Sequence, residues 1–185
     1  MKWIISKLTG KIDYLKRAIA LYYWHPKNGV INSIGGITFR EIRYVDDLNL
    51  INYKYEKSDY ENRLLSGHLL FFLEEDSQAL TYGWVNPSEE HILGELALKM
   101  ELGYEVETLY DFHTFERYRG RGLYPFLLQK ICSRNSKAKL IYAFPDNISS
   151  IKGIEKANFK LLGIIYGFNK YRYAKLIRNY EKNNF

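Results

Sequence analysis

Cysteine is almost missing from this chain: Cys132 is the only one in 185 residues. An internal disulfide is thereby excluded, and so is a zinc site built on cysteines. Long apolar runs are missing too. No stretch of 18 apolar residues occurs, so the sequence offers no membrane-spanning helix. The opening MKWIISKLTGKIDYLKR breaks its apolar residues with Lys7, Lys11 and Asp13, which does not fit a secretory leader. The expected compartment is the cytoplasm. Internal repeats and low-complexity segments are absent as well.

What is present reads as a globular domain, with 46% hydrophobic and 26% charged residues. Aromatic residues are plentiful, with 17 tyrosines. The net charge of +6 is unevenly placed. Residues 1–36 hold six Lys and Arg against Asp13, and residues 169–185 hold five against Glu181, so the middle of the chain is net acidic. Basic ends suit an anionic partner such as a membrane surface, a phosphorylated ligand or nucleic acid, or they are solvated termini.

Residues 3–23 place Ile4, Ile5, Leu8, Ile12, Leu15, Ile19, Tyr22 and Tyr23 on one helical stripe opposite lysines. The stripe predicts an amphipathic helix, with the turn-rich segments HPKNG and NSIGG as a hinge behind it. This divides the chain into an extension over residues 1–36 and a compact domain over 37–185. The helix face fits its own domain, a homodimer partner, or a membrane surface touched by residues 1–24. Beyond it, ITFREIRYV reads as a strand and residues 46–67 as one or two helices ending at Gly67. LLFFLEED and QALTYGWV read as a hairpin. HILGELALK and EVETLYDFHTF read as two further strands about a turn at residues 101–104. After a helix come the strand KLIYAF, a helix capped by Asp146 or Asn147, and the strand pair FKLLGIIYGF and KYRYAKLI. This order describes a mixed α/β sheet.

The segment YRGRGLYPFLLQKI, residues 118–131, puts two glycines and two arginines before a helix whose Leu123, Leu127 and Ile131 recur every four residues. A helix N-terminus offers unpaired N–H groups and a partial positive charge. Gly120 and Gly122 allow close approach, and Arg119 and Arg121 add charged donors. The ligand expected there is a phosphate or diphosphate. No Walker loop is present, and Pro125 stands where a Rossmann fingerprint needs its third glycine.

Strand, R-x-x-G-x-G turn and apolar helix resemble the acetyl-CoA site of the GNAT N-acyltransferases. The pattern fits as Arg117-x-x-Gly120-x-Gly122. The register Arg119-Gly120-Arg121-Gly122-Leu123-Tyr124 places Leu127 and Leu128 where the family's helix packs. A second segment matches: the family's N-x-x-[SA]-x-x-x-Y-x-K-x-G-F is met by Asn147, Ser150, Lys156 and Phe159, with Ile154 where a Tyr usually stands. The resemblance covers about residues 37–177 and implies a GNAT-like, mostly antiparallel twisted sheet flanked by helices, with the N-terminal helical extension outside it.

That resemblance implies acetyl transfer from acetyl-CoA to a primary amine, with no metal. It assigns backbone contacts with the pantetheine arm to Phe112 and Thr114, the diphosphate to Arg117, Arg119, Gly120, Arg121, Gly122, Leu123 and Tyr124, and the flank of the arm to Asn147 and Ser150. Ile154 cannot donate a proton, which leaves Tyr124, Tyr142 or water. Candidate bases are Glu95, Glu107, Asp111 and His113, His113 having the most suitable ordinary pKa. The acceptor is expected to be a small-molecule amine. Dense tyrosines suit a sugar ring, and LYDFHTFERYRGRGLYPFLL resembles family members that acetylate amino sugars in surface-polysaccharide pathways. Two other classes remain open: a non-catalytic acyl-CoA-binding module of the same fold, and a peripheral membrane or anion-binding protein using its basic ends. Nucleic acid is disfavoured, because no recognised motif accompanies the basic residues.

Overall fold

The computed structural model describes residues 17–26, 34–50, 54–96, 98–168 and 173–177. Ten strands and three α-helices alternate along them: β1 (Arg17–Trp24), β2 (Thr38–Ile42), α1 (Lys57–Leu65), β3 (Leu69–Glu75), β4 (Gln78–Asn86), β5 (Glu90–Leu93), β6 (Leu98–Glu101), β7 (Val106–Thr114), α2 (Leu123–Cys132), β8 (Ala138–Ala143), α3 (Ile148–Lys156), β9 (Lys160–Phe168) and β10 (Tyr173–Ile177). Eight of the strands form one sheet in the order β10-β9-β1-β8-β7-β4-β3-β2, with β5 and β6 as a separate pair. Neighbours run antiparallel except β7 and β8, which are parallel.

The sheet is covered on both faces. Leu123, Phe126, Leu127, Leu128 and Ile131 of α2 pack with Phe71, Leu73, Val85 and Leu109. On the other face, Tyr60 and Leu64 of α1 pack with Leu70, Phe72, Tyr82 and Trp84. The alternation of LLFFLEE between two cores is the strand period of two. Each such fully buried side chain contributes about 1.5–3 kcal/mol. The β3–β4 turn is the expected tight polar one, with Asp76 and Ser77 both at positive φ (49° and 61°), as two-residue hairpin turns of matching twist require.

Two expectations are corrected. The helical stripe over residues 3–23 fails where the structure describes it, since Arg17–Trp24 is a strand paired to β8 on one side and β9 on the other. Ile19 and Leu21 face one cluster while Ala20, Tyr22 and Trp24 face another. A strand buried on both faces reads as a continuous apolar run, and such a run also satisfies a helical template. A division of the chain at residue 37 therefore cuts through the sheet. Residues 1–16, which carry the rest of the stripe, lie outside the described residues. The second correction concerns HILGELALK. It folds back on itself as β5 and β6 around a 3-10 turn at Gly94–Leu96, and β7 takes β4 as its antiparallel partner.

One irregularity sets up the site. Pairing between β7 and β8 runs from Val106–Ala138 to Leu109–Ile141 and stops, although β7 continues to Thr114 and β8 to Ala143. On its other edge β7 bulges against β4: Tyr110 pairs with Trp84 and His113 with Tyr82, so Asp111 and Phe112 share Gly83. Asp111 takes a left-handed φ of 49° there. Gly83 is needed because a Cβ would strike the Phe112 ring.

Candidate functional site

Beyond β7 the chain makes a 3-10 turn at Glu116–Tyr118, then Gly120 and Gly122 adopt φ of 81° and 74°. Only glycine holds that conformation without strain. Gly122 caps α2 with no side-chain hydrogen bond, so the helix's first amides are left for another partner. A Cβ built on either glycine would meet nothing within 4 Å. The loop thus faces open space, a cavity of about 710 Å³.

The walls of this cavity are Phe112, His113 and Thr114 of β7, the loop from Arg119, the start of α2, and one face of α3. Asn147 caps α3, its Oδ1 accepting from the Ser150 N–H at 3.1 Å and from the Ser149 hydroxyl at 3.0 Å. Ser150, Lys152 and Lys156 line the same cavity. The two lysines form a basic wall that the sequence reading gave no role. Their i, i+4 spacing on a helix whose Asn147 end was already placed is the signal that could have found them.

The arginines divide. Arg119 lines the cavity, with its Nε donating to the Thr114 carbonyl at 3.2 Å. Arg121 turns away to make two bonds to Glu75, at 3.0 and 2.9 Å. Arg117 donates to Gln78 at 3.1 Å, beside the β3–β4 turn. Neither borders the cavity, so their assignment to the diphosphate is not supported by position. The Thr114 hydroxyl pairs with that of Thr81 at 2.9 Å. His113 packs between Tyr82 and Phe115. Burial, and then the cations of Lys54 and Arg119, hold its pKa below the ordinary value.

A second cavity of about 560 Å³ lies across the divergence of β7 and β8, and shares Phe112, Tyr124, Asn147 and Ser150 with the first. The Phe112 and Tyr124 rings, 5.4 Å apart, form the throat between them. Glycines seat both rings: Gly83 under Phe112, and Gly153 under Tyr124, where a Cβ would strike the phenol ring. The Tyr124 hydroxyl lies 3.4 Å from Ser150 Oγ, and burial pushes its pKa up. Ile154 is fully buried in the core next to this glycine. Tyr124, carried by α2, thus packs over the α3 glycine that precedes Ile154.

In the second cavity, Asp111 Oδ2 accepts from Arg63 Nη1 at 2.6 Å, and Oδ1 lies 3.5 Å from both Lys54 Nζ and the Tyr55 hydroxyl. The Arg63 guanidinium sits over the Trp84 and Tyr110 rings, at 5.2 and 5.3 Å. Tyr55, Tyr110 and Tyr142 line the wall with Glu95, from the turn between β5 and β6. Burial, and then Glu95, push the Tyr142 pKa up.

Glu107 is the candidate that position removes. It lies in the paired first half of β7 and borders neither cavity. Both its oxygens accept from Arg134 Nη2 at 2.8 Å, one accepts from Asn135 at 3.0 Å, and Lys139 Nζ is 3.4 Å away. Burial alone would raise its pKa, but Lys139 and Arg134 pull it below the ordinary value. A carboxylate so fully engaged is a structural anchor. Among the described residues no group of three His, Cys, Asp or Glu is placed to hold a metal ion, and no helix is long and apolar enough to cross a membrane.

No family model matches this chain, and no curated protein matches it. Solved structures do. An acetyltransferase of the GNAT family from Colwellia psychrerythraea aligns with a TM-score of 0.56 at 13% identity, over 85% of this chain and 59% of that one. A GCN5-related N-acetyltransferase from Kribbella flavida aligns at 0.51 with 9% identity, over 80% and 55%. A GCN5-related N-acetyltransferase-like protein from Streptococcus suis aligns at 0.50 with 14% identity, over 86% and 64%. The chain spans about three fifths of the length of the solved chains it matches.

Proposed function

We propose that this chain, whose fold is that of the GNAT N-acetyltransferases, moves an acetyl group from acetyl-CoA to a primary amine of a small molecule. The observation that carries the reading is the pair of cavities meeting at the Phe112–Tyr124 throat, where β7 and β8 part. The residues present fit coenzyme A. Gly120 and Gly122 face open space that a Cβ would enter, and α2 begins without a side-chain cap. The amides there would hold the diphosphate, with Arg119, Lys152 and Lys156 supplying the compensating charge. The edge of β7 from Tyr110 to Thr114, which has no β8 partner, would run along the pantetheine arm with Asn147 and Ser150 opposite. Acetyl-CoA bound in this way supplies an activated acyl thioester.

The chain's own residues supply the remaining chemistry. Tyr124 holds a proton at the throat, kept on the phenol by burial. Asp111 and Glu95 face the second cavity and are the carboxylates within reach of an incoming amine. Arg63 and Lys54 hold Asp111 in place, which suits a weak base acting through water. The aromatic wall of Tyr55, Tyr110 and Tyr142 suits a ring-bearing acceptor, an amino sugar being the chemistry that fits both stacking and hydroxyl donors.

Ile154, buried in the core, supports the second reading, an acyl-CoA-binding module of this fold without turnover. One experiment separates the two. Free-thiol release from acetyl-CoA is followed against a panel of primary amines that includes nucleotide-linked amino sugars. Release that depends on an amine supports the transferase. Calorimetric binding of acetyl-CoA with no release from any amine supports the module.

A further inference from the structure

Asn86, at the end of β4, is buried and its amide orientation is fixed. Its Oδ1 accepts from the Ser88 N–H at 2.9 Å, and its Nδ2 donates to the Glu90 carbonyl at 2.7 Å. Nδ1 of His91 lies 3.2 Å from that same nitrogen. An amide nitrogen has only hydrogens to offer, so Nδ1 is an acceptor, and in a neutral imidazole the proton then sits on Nε2. His91 is neutral: it is 4% exposed, and burial, with His68 second, lowers its pKa to about 4. Nε2 lies 3.3 Å from the Tyr142 hydroxyl oxygen, which accordingly accepts. The hydrogen of that hydroxyl is left to point elsewhere, and Tyr142 lines the 560 Å³ cavity but not the larger one.

We infer that Asn86 and His91 fix the Tyr142 hydroxyl as a hydrogen-bond donor into the second cavity, and that the amine taken there presents an oxygen lone pair to it. The second part rests on reading this cavity as the amine site; the first does not. Arg63, held on Asp111 over the Trp84 ring, is a further donor on the same wall. A fixed donor discriminates strongly, because an occupant without a matching acceptor leaves the Tyr142 hydroxyl unpaired. The class selected is an amine with a hydroxyl, carbonyl or carboxylate oxygen near it, rather than an alkylamine or polyamine. His91 is a positioning residue, acting through Tyr142.

The test uses the full chain with ¹⁵N-labelled histidine, whose four imidazoles are few enough to resolve. His91 is assigned by the signal lost in His91→Gln, and its tautomer is read from two-bond proton–nitrogen correlations. The expected result is Nε2–H, unchanged from about pH 5 to 8. Asn86→Asp places an oxygen opposite Nδ1 and is expected to switch the tautomer to Nδ1–H. A wild-type Nδ1–H tautomer, or titration near the ordinary histidine value, overturns the fixed donor. For the substrate class, thiol-release rates are compared for matched amines with and without a neighbouring oxygen. Wild type is expected to favour the oxygen-bearing member about ten-fold, and Tyr142→Phe to lose that preference. Equal preference in the two proteins overturns the selection. No release from any amine overturns both the selection and the transferase reading, while the tautomer measurement still decides the fixed donor.

Discussion

The two halves of β7 carry similar side chains to opposite ends. In the first half, Thr108 and Leu109 have a strand on each side, β4 and β8. Glu107 beside them is 3% exposed and enclosed by Arg134, Asn135 and Lys139. In the second half, Tyr110–Thr114 have β4 alone, the backbone bulges, and Asp111 looks into a cavity. Both carboxylates are held by two cations, so charge pairing does not distinguish an anchor from a site residue. The missing neighbouring strand does. A strand edge without a partner strand leaves backbone groups that a side chain, a ligand or water must satisfy.

Substitution can break this contrast. Glu107→Ala leaves Arg134 and Lys139 buried without their anion and is expected to cost about 3–5 kcal/mol in urea unfolding, with acetyl-CoA affinity of the folded fraction unchanged. Asp111→Asn keeps the shape of the side chain. It is expected to cost under half as much stability, yet to lower acetyl transfer about a hundred-fold. If the two variants traded these effects, the division of β7 would be wrong. Arg119→Ala is expected to weaken acetyl-CoA binding by about 1–3 kcal/mol in calorimetry, as a lost charge-assisted bond. Arg121→Ala, whose side chain is spent on Glu75, is expected to leave that affinity unchanged.

The last effect is on pH. The unfolded chain protonates His91 near its ordinary 6.5, whereas the folded site resists until about 4. Over that window the unfolded state binds more protons, so stability is full above about 6.5 and falls as pH drops toward 4. The slope is at most about 1.4 kcal/mol per pH unit. His68 and His113 are lowered too, so the difference between wild type and His91→Gln isolates this term. Parallel stability–pH curves for the two proteins would contradict it.

Legibility in the sequence followed the range of the interactions. Local features were readable: the Gly120–Gly122 loop, the Asn147 cap, the β3–β4 hairpin and the α2 stripe are each set by residues a few positions apart. Asn158, where the family's pattern has a glycine, holds φ at 67°, which asparagine tolerates better than most residues. Features set by distant partners were not readable. β1 lies between two strands more than 100 residues away and buries its two faces in separate clusters built by distant elements, which erases its period. Glu107 looks like any strand carboxylate until Arg134 and Lys139 arrive from beyond α2. The Tyr124 ring is seated where it is because Gly153, on another helix, makes room for it.

The central claim is that the open amides at the start of α2 and the unpaired edge of β7 bind one ligand together. Acetyl-CoA titrated into the uniformly ¹⁵N-labelled chain tests it directly. The account predicts saturable amide shifts concentrated at Gly120, Gly122, Leu123 and residues 110–114, with Glu107 and its neighbours unmoved. Shifts confined to the basic ends of the chain, or none at saturating ligand, would contradict it.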